Sequence, residues 1–222
     1  MVTETMDRCY AIDIFYFDLE KAFDTVPHEQ LVAKLKTACY DCRIINWIID
    51  YLSGRKQHVV TRGEKSKWLN AYSGVPLGSV LGPILFLIYI NDLPTGIKSK
   101  INIFADDTKM ASKVDTVEGE EIVNDDLEIL QNWTITNGMK LNVDKCSVMH
   151  CGRINRNIDY KLYGQNICVT VSERDFRVII NNDMKFKDQV ASAAKKAKKT
   201  LGMIKRNSEY VHKNDLKCCM VC

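Results

Sequence analysis

The chain has 222 residues, 46% of them hydrophobic and 27% charged, with a formal net charge of +3. At roughly 150 residues per domain this is one domain, or one and part of a second, with enough apolar side chains for a sizeable core. Composition excludes a disordered or collagen-like chain. The longest apolar run, residues 80–90, is broken by Gly82 and Pro83 and falls far short of the roughly 20 residues of a membrane span. Residues 12–18 (IDIFYFD) are β-branched and aromatic and end in an acid, which predicts a buried strand. Helices are predicted over 29–40, where Leu31, Leu35 and Ala38 recur at helical spacing, and over 43–52, with Ser53 and Gly54 as the stop. Strands over 57–61 and 67–72 flank a turn at Arg62-Gly63-Glu64. A glycine- and proline-rich stretch, 74–83, opens onto an apolar helix over 84–93. A hairpin is predicted over 101–110, with Ala105-Asp106-Asp107 at its tip, and a long helix over 116–137. Short strands follow at 147–150, 160–163, 167–171 and 176–180. Residues 184–217 then carry ten cations against three carboxylates, a net of +7. The mixture implies an α+β fold built on an antiparallel sheet. A boundary near Asn181-Asn182 divides it into segments 1–181 and 182–222.

No basic stretch followed by an apolar core opens the sequence, so no secretory signal is visible. The nine cysteines, an odd and scattered set, therefore read as reduced, structural thiols of an intracellular protein, with nucleus and cytoplasm both open. Cys39-x-x-Cys42 lacks the second pair that a tetrahedral zinc site needs, and Cys219 to Cys222 resembles a prenylation box only loosely.

Two acidic positions carry the candidate chemistry. Asp18 closes the first strand, and Asp106 and Asp107 sit at a hairpin tip. Adjacent carboxylates repel unless a cation or water offsets the repulsion. Strand alternation points Asp106 and Asp107 in different directions, so only one faces Asp18 squarely. With a triphosphate, carboxylates from neighbouring strands could hold two Mg²⁺ ions about 3.5–4 Å apart. On the residues alone, solvated turn acids are the competing reading.

The surrounding words decide between them. FDLEKAFDTVPH, GVPLGSVLGPILFLIYINDLP, FADDTK and MKLNVDKC occur in that order. Together they resemble motifs A to D of a reverse transcriptase, in the wording of the non-LTR, jockey-like retrotransposon polymerases. The resemblance implies a polymerase palm, its antiparallel sheet flanked by helices, with a partial fingers insertion and the beginning of a helical thumb. It implies RNA-directed DNA synthesis, with an RNA template, a DNA primer and deoxynucleotide triphosphates as partners and Mg²⁺ (or Mn²⁺) as cofactor. Asp18 and Asp106 match the metal-binding aspartates, with Asp107 auxiliary and the Leu19 carbonyl contributing. Phe23 matches the aromatic that excludes a 2′-hydroxyl. Gly78 and Ser79 lie in the loop along the nucleotide, and Lys145 matches the lysine that protonates pyrophosphate as general acid. Asp24 reads as capping or positioning the turn before the helix rather than binding metal, and His28 as structural. Lys195, Lys196, Lys198 and Lys199 are expected to track template–primer phosphates.

Two positions depart from the family wording: Leu77 stands where glutamine is usual, and Arg177 where a primer-grip glycine is usual. If that glycine supplies a positive φ, Arg177 strains the turn. The first metal-binding aspartate comes seventeen residues after Met1, where the family has a longer fingers region. The competing expectation is therefore a catalytically silent remnant that at most binds nucleic acid.

Overall fold

The computed structural model describes residues 11–38 and 41–207, which form two compact units, one ending at Thr170 and the other beginning at Val171. In the first unit the chain opens with β1 (Ile12–Asp18), a short α1 (Ala22–Thr25), α2 (His28–Thr37) and α3 (Cys42–Leu52). The Asp41 carboxylate caps α3 by accepting the Arg43 N–H at 2.7 Å. Four two-residue strands follow: β2 (Lys56–Gln57), β3 (Val60–Thr61), β4 (Glu64–Lys65) and β5 (Leu69–Asn70). The predicted pair of longer strands is thus two short ladders, β2 with β5 and β3 with β4. Between them the Ser66 hydroxyl accepts the Val59 N–H and replaces part of the backbone pairing.

Helix α4 (Leu81–Ile90) starts and ends three residues earlier than the helix predicted over 84–93. Ser79 Oγ accepts the Gly82 N–H at 2.9 Å, and Pro83 falls in the first turn, where its missing N–H costs nothing. Then come β6 (Lys100–Phe104), β7 (Asp107–Lys113), α5 (Val117–Thr136), β8 (Ser147–Cys151), β9 (Lys161–Leu162), β10 (Gln165–Asn166) and β11 (Cys168–Val169). Thr116 caps α5 on the Gly119 N–H, and Gly119 allows the helix to start against the Lys113 carbonyl, which a Cβ would strike.

The main sheet has the order β11-β8-β1-β7-β6, antiparallel throughout except where β11 runs parallel to β8. Strand β1 lies at its centre and is buried on both faces along most of its length, which is why its sequence is a nearly continuous apolar run rather than an alternating one. Phe15, Leu31, Leu35, Phe86, Leu130 and Tyr160 belong to one buried core. Inside it Asp13 is fully buried and accepts three hydrogen bonds of 2.7 Å, from His150 Nδ1, Asn155 Nδ2 and the Tyr160 hydroxyl. Burial, reinforced by the bond to Asp13 and by its charge, pushes the Tyr160 phenol far above its ordinary pKa.

The second unit contains β12 (Ser172–Asp175), β13 (Val178–Asn181) and α6 (Lys187–Asn207). Strands β12 and β13 form a hairpin with Asp175 opposite Val178, so Phe176 and Arg177 are its two turn residues. Gln189 at the start of α6 accepts the Ile179 N–H at 3.0 Å, which ties helix to hairpin. Among the described residues no helix is long and apolar enough to cross a membrane.

Candidate active site

Strand register assembles the acids. Asp18, the last residue of β1, pairs directly with Asp107, the first residue of β7. Paired residues of an antiparallel ladder project from the same face. Tyr16 and Lys109 share that face one step along, with the Lys109 ammonium 5.3 Å from the Tyr16 ring centroid. Phe104 pairs with Asp107, which leaves Ala105 and Asp106 as a two-residue turn, Ala105 at φ +53°. Asp107 is therefore the acid facing Asp18 in register, and Asp106 stands beside them at the turn.

Lys145 completes the group. Its ammonium lies 3.1 Å from Asp18 Oδ2, with the lysine side chain 64% exposed and the aspartate 32%. The neighbouring backbone holds it there. Asn142 N–H donates to the Asp18 carbonyl and Glu20 N–H to the Lys140 carbonyl, both at 2.8 Å, around the Leu19–Leu141 bridge. In such a non-hydrogen-bonded pair each residue's own carbonyl points away from its partner. The Leu19 carbonyl thus turns to the side of β7 and its acidic turn. Cys146, adjacent to Lys145, is wholly buried, and burial pushes its thiol up to about 11 against a hydrogen bond from the Asp18 backbone.

The loop before α4 packs onto the turn after β1. Gly74 N–H donates to the Val26 carbonyl and Val75 N–H to the Phe23 carbonyl. A Cβ on Gly74 would lie 2.7 Å from the Asp24 carbonyl oxygen, and its φ is +85°, so only glycine fits there. His28 Nε2 and Arg55 Nη1 both donate to the Gly74 carbonyl, at 2.8 and 3.2 Å. The structural reading of His28 is met; the part played by Arg55 had no signal in the sequence. Phe23 is half-buried and stacks on Phe86 with centroids 4.6 Å apart. Gly78, at φ +81°, is exposed with open space where a Cβ would be. Ser79 is committed to the backbone: its hydroxyl donates to the Pro76 carbonyl at 2.8 Å while accepting from Gly82. Leu77 is 68% exposed, on the solvent side of the loop.

The expected lysines and Arg177 belong to the second unit. Lys195, Lys196, Lys198 and Lys199 are all exposed on α6. Arg177 has φ +69° and Phe176 φ +46°, so the residue in place of the usual glycine does occupy a left-handed conformation. Of the cysteines, Cys42 and Cys168 are free and exposed, and Cys146 and Cys151 free and buried; Cys39 and Cys219 to Cys222 lie outside the described residues. Among the described residues no three His, Cys, Asp or Glu side chains gather as a metal-holding cluster. Bare carboxylates repel, and Lys145 supplies the positive charge beside Asp18.

A five-stranded sheet with acids at the ends of adjacent strands, backed by helices, is the architecture of a polymerase palm. The solved telomerase of Candida tropicalis, in complex with the TWJ fragment of telomeric RNA, shares this fold with a TM-score of 0.51 at 13% identity, over 75% of this chain and 32% of that one. A family model described as reverse transcriptase (RNA-dependent DNA polymerase) matches residues 9–205. The chain belongs to the reverse transcriptase family. It is 28% identical over 187 residues to the RNA-directed DNA polymerase from mobile element jockey of Drosophila funebris, covering 80% of this chain and 20% of that protein. To the jockey polymerase of Drosophila melanogaster it is 30% identical over 147 residues, covering 62% of this chain and 16% of the relative. The chain thus spans about a fifth or less of the length of these relatives.

Proposed function

We propose that the chain is the RNA-directed DNA polymerase palm of a jockey-like element, joining deoxynucleotides to a primer 3′-hydroxyl on an RNA template. The observation that carries this is the pairing of Asp18 with Asp107 beside the Asp106 turn, with Lys145 reaching Asp18 from the other flank. The donor set suits a hard divalent cation: carboxylate oxygens from two strands and a backbone carbonyl at Leu19. Asp18, Asp106 and Asp107 would hold Mg²⁺ ions, with Mn²⁺ as a substitute. Bound there, the ions supply activation of the primer hydroxyl and stabilisation of the leaving pyrophosphate. The Lys145–Asp18 pair is exposed and contributes only about 0–1 kcal/mol. Asp18 can exchange it readily, which frees the ammonium to bind the triphosphate and donate a proton to pyrophosphate. Phe23, held by Phe86, supplies a rigid wall against a 2′-hydroxyl. Gly78 leaves room for a nucleotide to approach the backbone.

The test is primer extension on poly(rA) annealed to oligo(dT) with Mg²⁺. Incorporation of dTMP is expected, reduced at least 100-fold in Asp18→Asn and Asp106→Asn. Incorporation that survives both substitutions would refute the reading. A second reading, nucleic-acid binding without synthesis, is favoured by the left-handed Arg177 where the family has glycine. Hybrid binding with no incorporation under any divalent ion would select it.

A further inference from the structure

The β2–β5 hairpin has no part in the chemistry above, yet its surface has a definite composition. Residues 55–70 carry five cations (Arg55, Lys56, Arg62, Lys65 and Lys67) against the single carboxylate of Glu64. Every residue from 59 to 70 is exposed. Among the described residues Lys56, Arg62, Lys65 and Lys67 pair with no carboxylate. The β2–β5 register, Lys56 with Asn70 and Gln57 with Leu69, continues inward to set His58 opposite Trp68. The two rings meet at 3.9 Å between centroids. Alternation adds Asn70 and Tyr72 to the same face, where the Asn70 amide donates to the Tyr72 hydroxyl at 2.9 Å. Trp68 is 62% and Tyr72 82% exposed. At the base, Arg55 ties the hairpin to the Gly74 carbonyl, the first residue of the loop before α4.

We propose that this hairpin is a platform for single-stranded nucleic acid: an unpaired base stacks on Trp68, braced by His58, and the flanking phosphates lie against Lys56, Arg62 and Lys65. Uncompensated lysines argue for phosphate rather than a protein partner, because lysine is depleted from the buried centres of protein interfaces. Exposed aromatics set among cations suit a strand whose bases are free to stack, irrespective of their sequence. The idea deepens the polymerase reading by naming where the unpaired strand is held, and it rests on that reading for the choice of nucleic acid.

The test uses the full chain in EDTA and a labelled rU12 oligonucleotide, read by fluorescence anisotropy. Trp68→Ala is expected to weaken binding about tenfold and Trp68→Phe to retain most of it. Arg62→Glu with Lys65→Glu is expected to flatten the salt dependence. Asp106→Asn should bind as the unsubstituted chain does, so a failed polymerase assay leaves this result intact. Circular dichroism checks the fold of each variant. Equal binding by Trp68→Ala and the parent, or no rU12 binding at all, would overturn the proposal.

Discussion

Arg177 shows how one side chain can work against its own backbone. The hairpin between β12 and β13 has two turn residues, and both have positive φ, the conformation that Asn-Gly adopts at low cost. An L-residue with a Cβ pays about 1 kcal/mol or more there. Arg177→Gly is expected to raise the unfolding free energy by about 1 kcal/mol in urea titration, and Arg177→Ala to leave it nearly unchanged. The buried thiols set a second residue-scale expectation. Burial pushes Cys146 up to about 11 and Cys151 up to about 12, while an unfolded thiol titrates near 9. Above pH 9 the unfolded chain loses these protons and the folded chain keeps them, so stability falls as pH rises toward 11 and 12. The loss should be on the order of 1–3 kcal/mol per thiol, and Cys146→Ser with Cys151→Ser should diminish the slope. A flat stability profile between pH 9 and 11 would contradict it. Asp13 had no such signal in advance. In the sequence it is one polar letter in an apolar strand, and its three donors lie more than 130 residues away, at His150, Asn155 and Tyr160.

At the scale of elements, the loop from Gly74 to Ser79 is where sequence and packing agree most closely. Its glycines were read as room for a backbone to approach the template base and the incoming nucleotide; at Gly74 the close approach in the fold is to the chain's own backbone. Gly74 rests on the Phe23 and Asp24 backbone, so the loop before α4 and the turn after β1 form one packed body. Gly74→Ala is expected to destabilise the chain by about 2 kcal/mol or more, through both the clash and the positive φ. Thermal denaturation measures it, and a Tm within a degree of the parent would count against this packing. Strand β1 was legible as an unbroken β-branched and aromatic run, and helices α2, α3 and α5 within a few residues because each has an apolar periodicity of its own. The β2–β5 hairpin was legible as a hairpin but not as two ladders, because the break comes from one hydroxyl, Ser66, bonding to a backbone amide. Ser79, expected along the nucleotide, has a local role that no motif announced: its hydroxyl donates to the Pro76 carbonyl and accepts the Gly82 N–H at the start of α4.

For the whole molecule, the order of the main sheet could not be read from any local pattern. Asp18 and Asp107 meet because β1 pairs with β7 across 89 positions of sequence, and Lys145 joins them through the Leu19–Leu141 bridge. The motif resemblance grouped Asp18 with Asp106 and gave Asp107 a lesser part, whereas the register sets Asp107 directly opposite Asp18; periodicity pointed to none of this. Charge distribution, by contrast, is legible at this scale and gives its own prediction. A net charge of +3 hides the hairpin of residues 55–70 and the four exposed lysines of α6, two basic surfaces in separate units. The lysines lie along a helix and suit a regular duplex backbone, whereas the hairpin offers rings to unpaired bases. Replacing Lys195, Lys196, Lys198 and Lys199 by Gln should therefore weaken binding to an RNA–DNA hybrid and leave rU12 binding nearly intact. For every phosphate that is no longer neutralised, the slope of log K against log salt should become shallower by about 0.9. An unchanged slope between 50 and 200 mM salt, the range over which phosphate-based binding typically weakens about 10³-fold or more, would place the hybrid elsewhere on the chain.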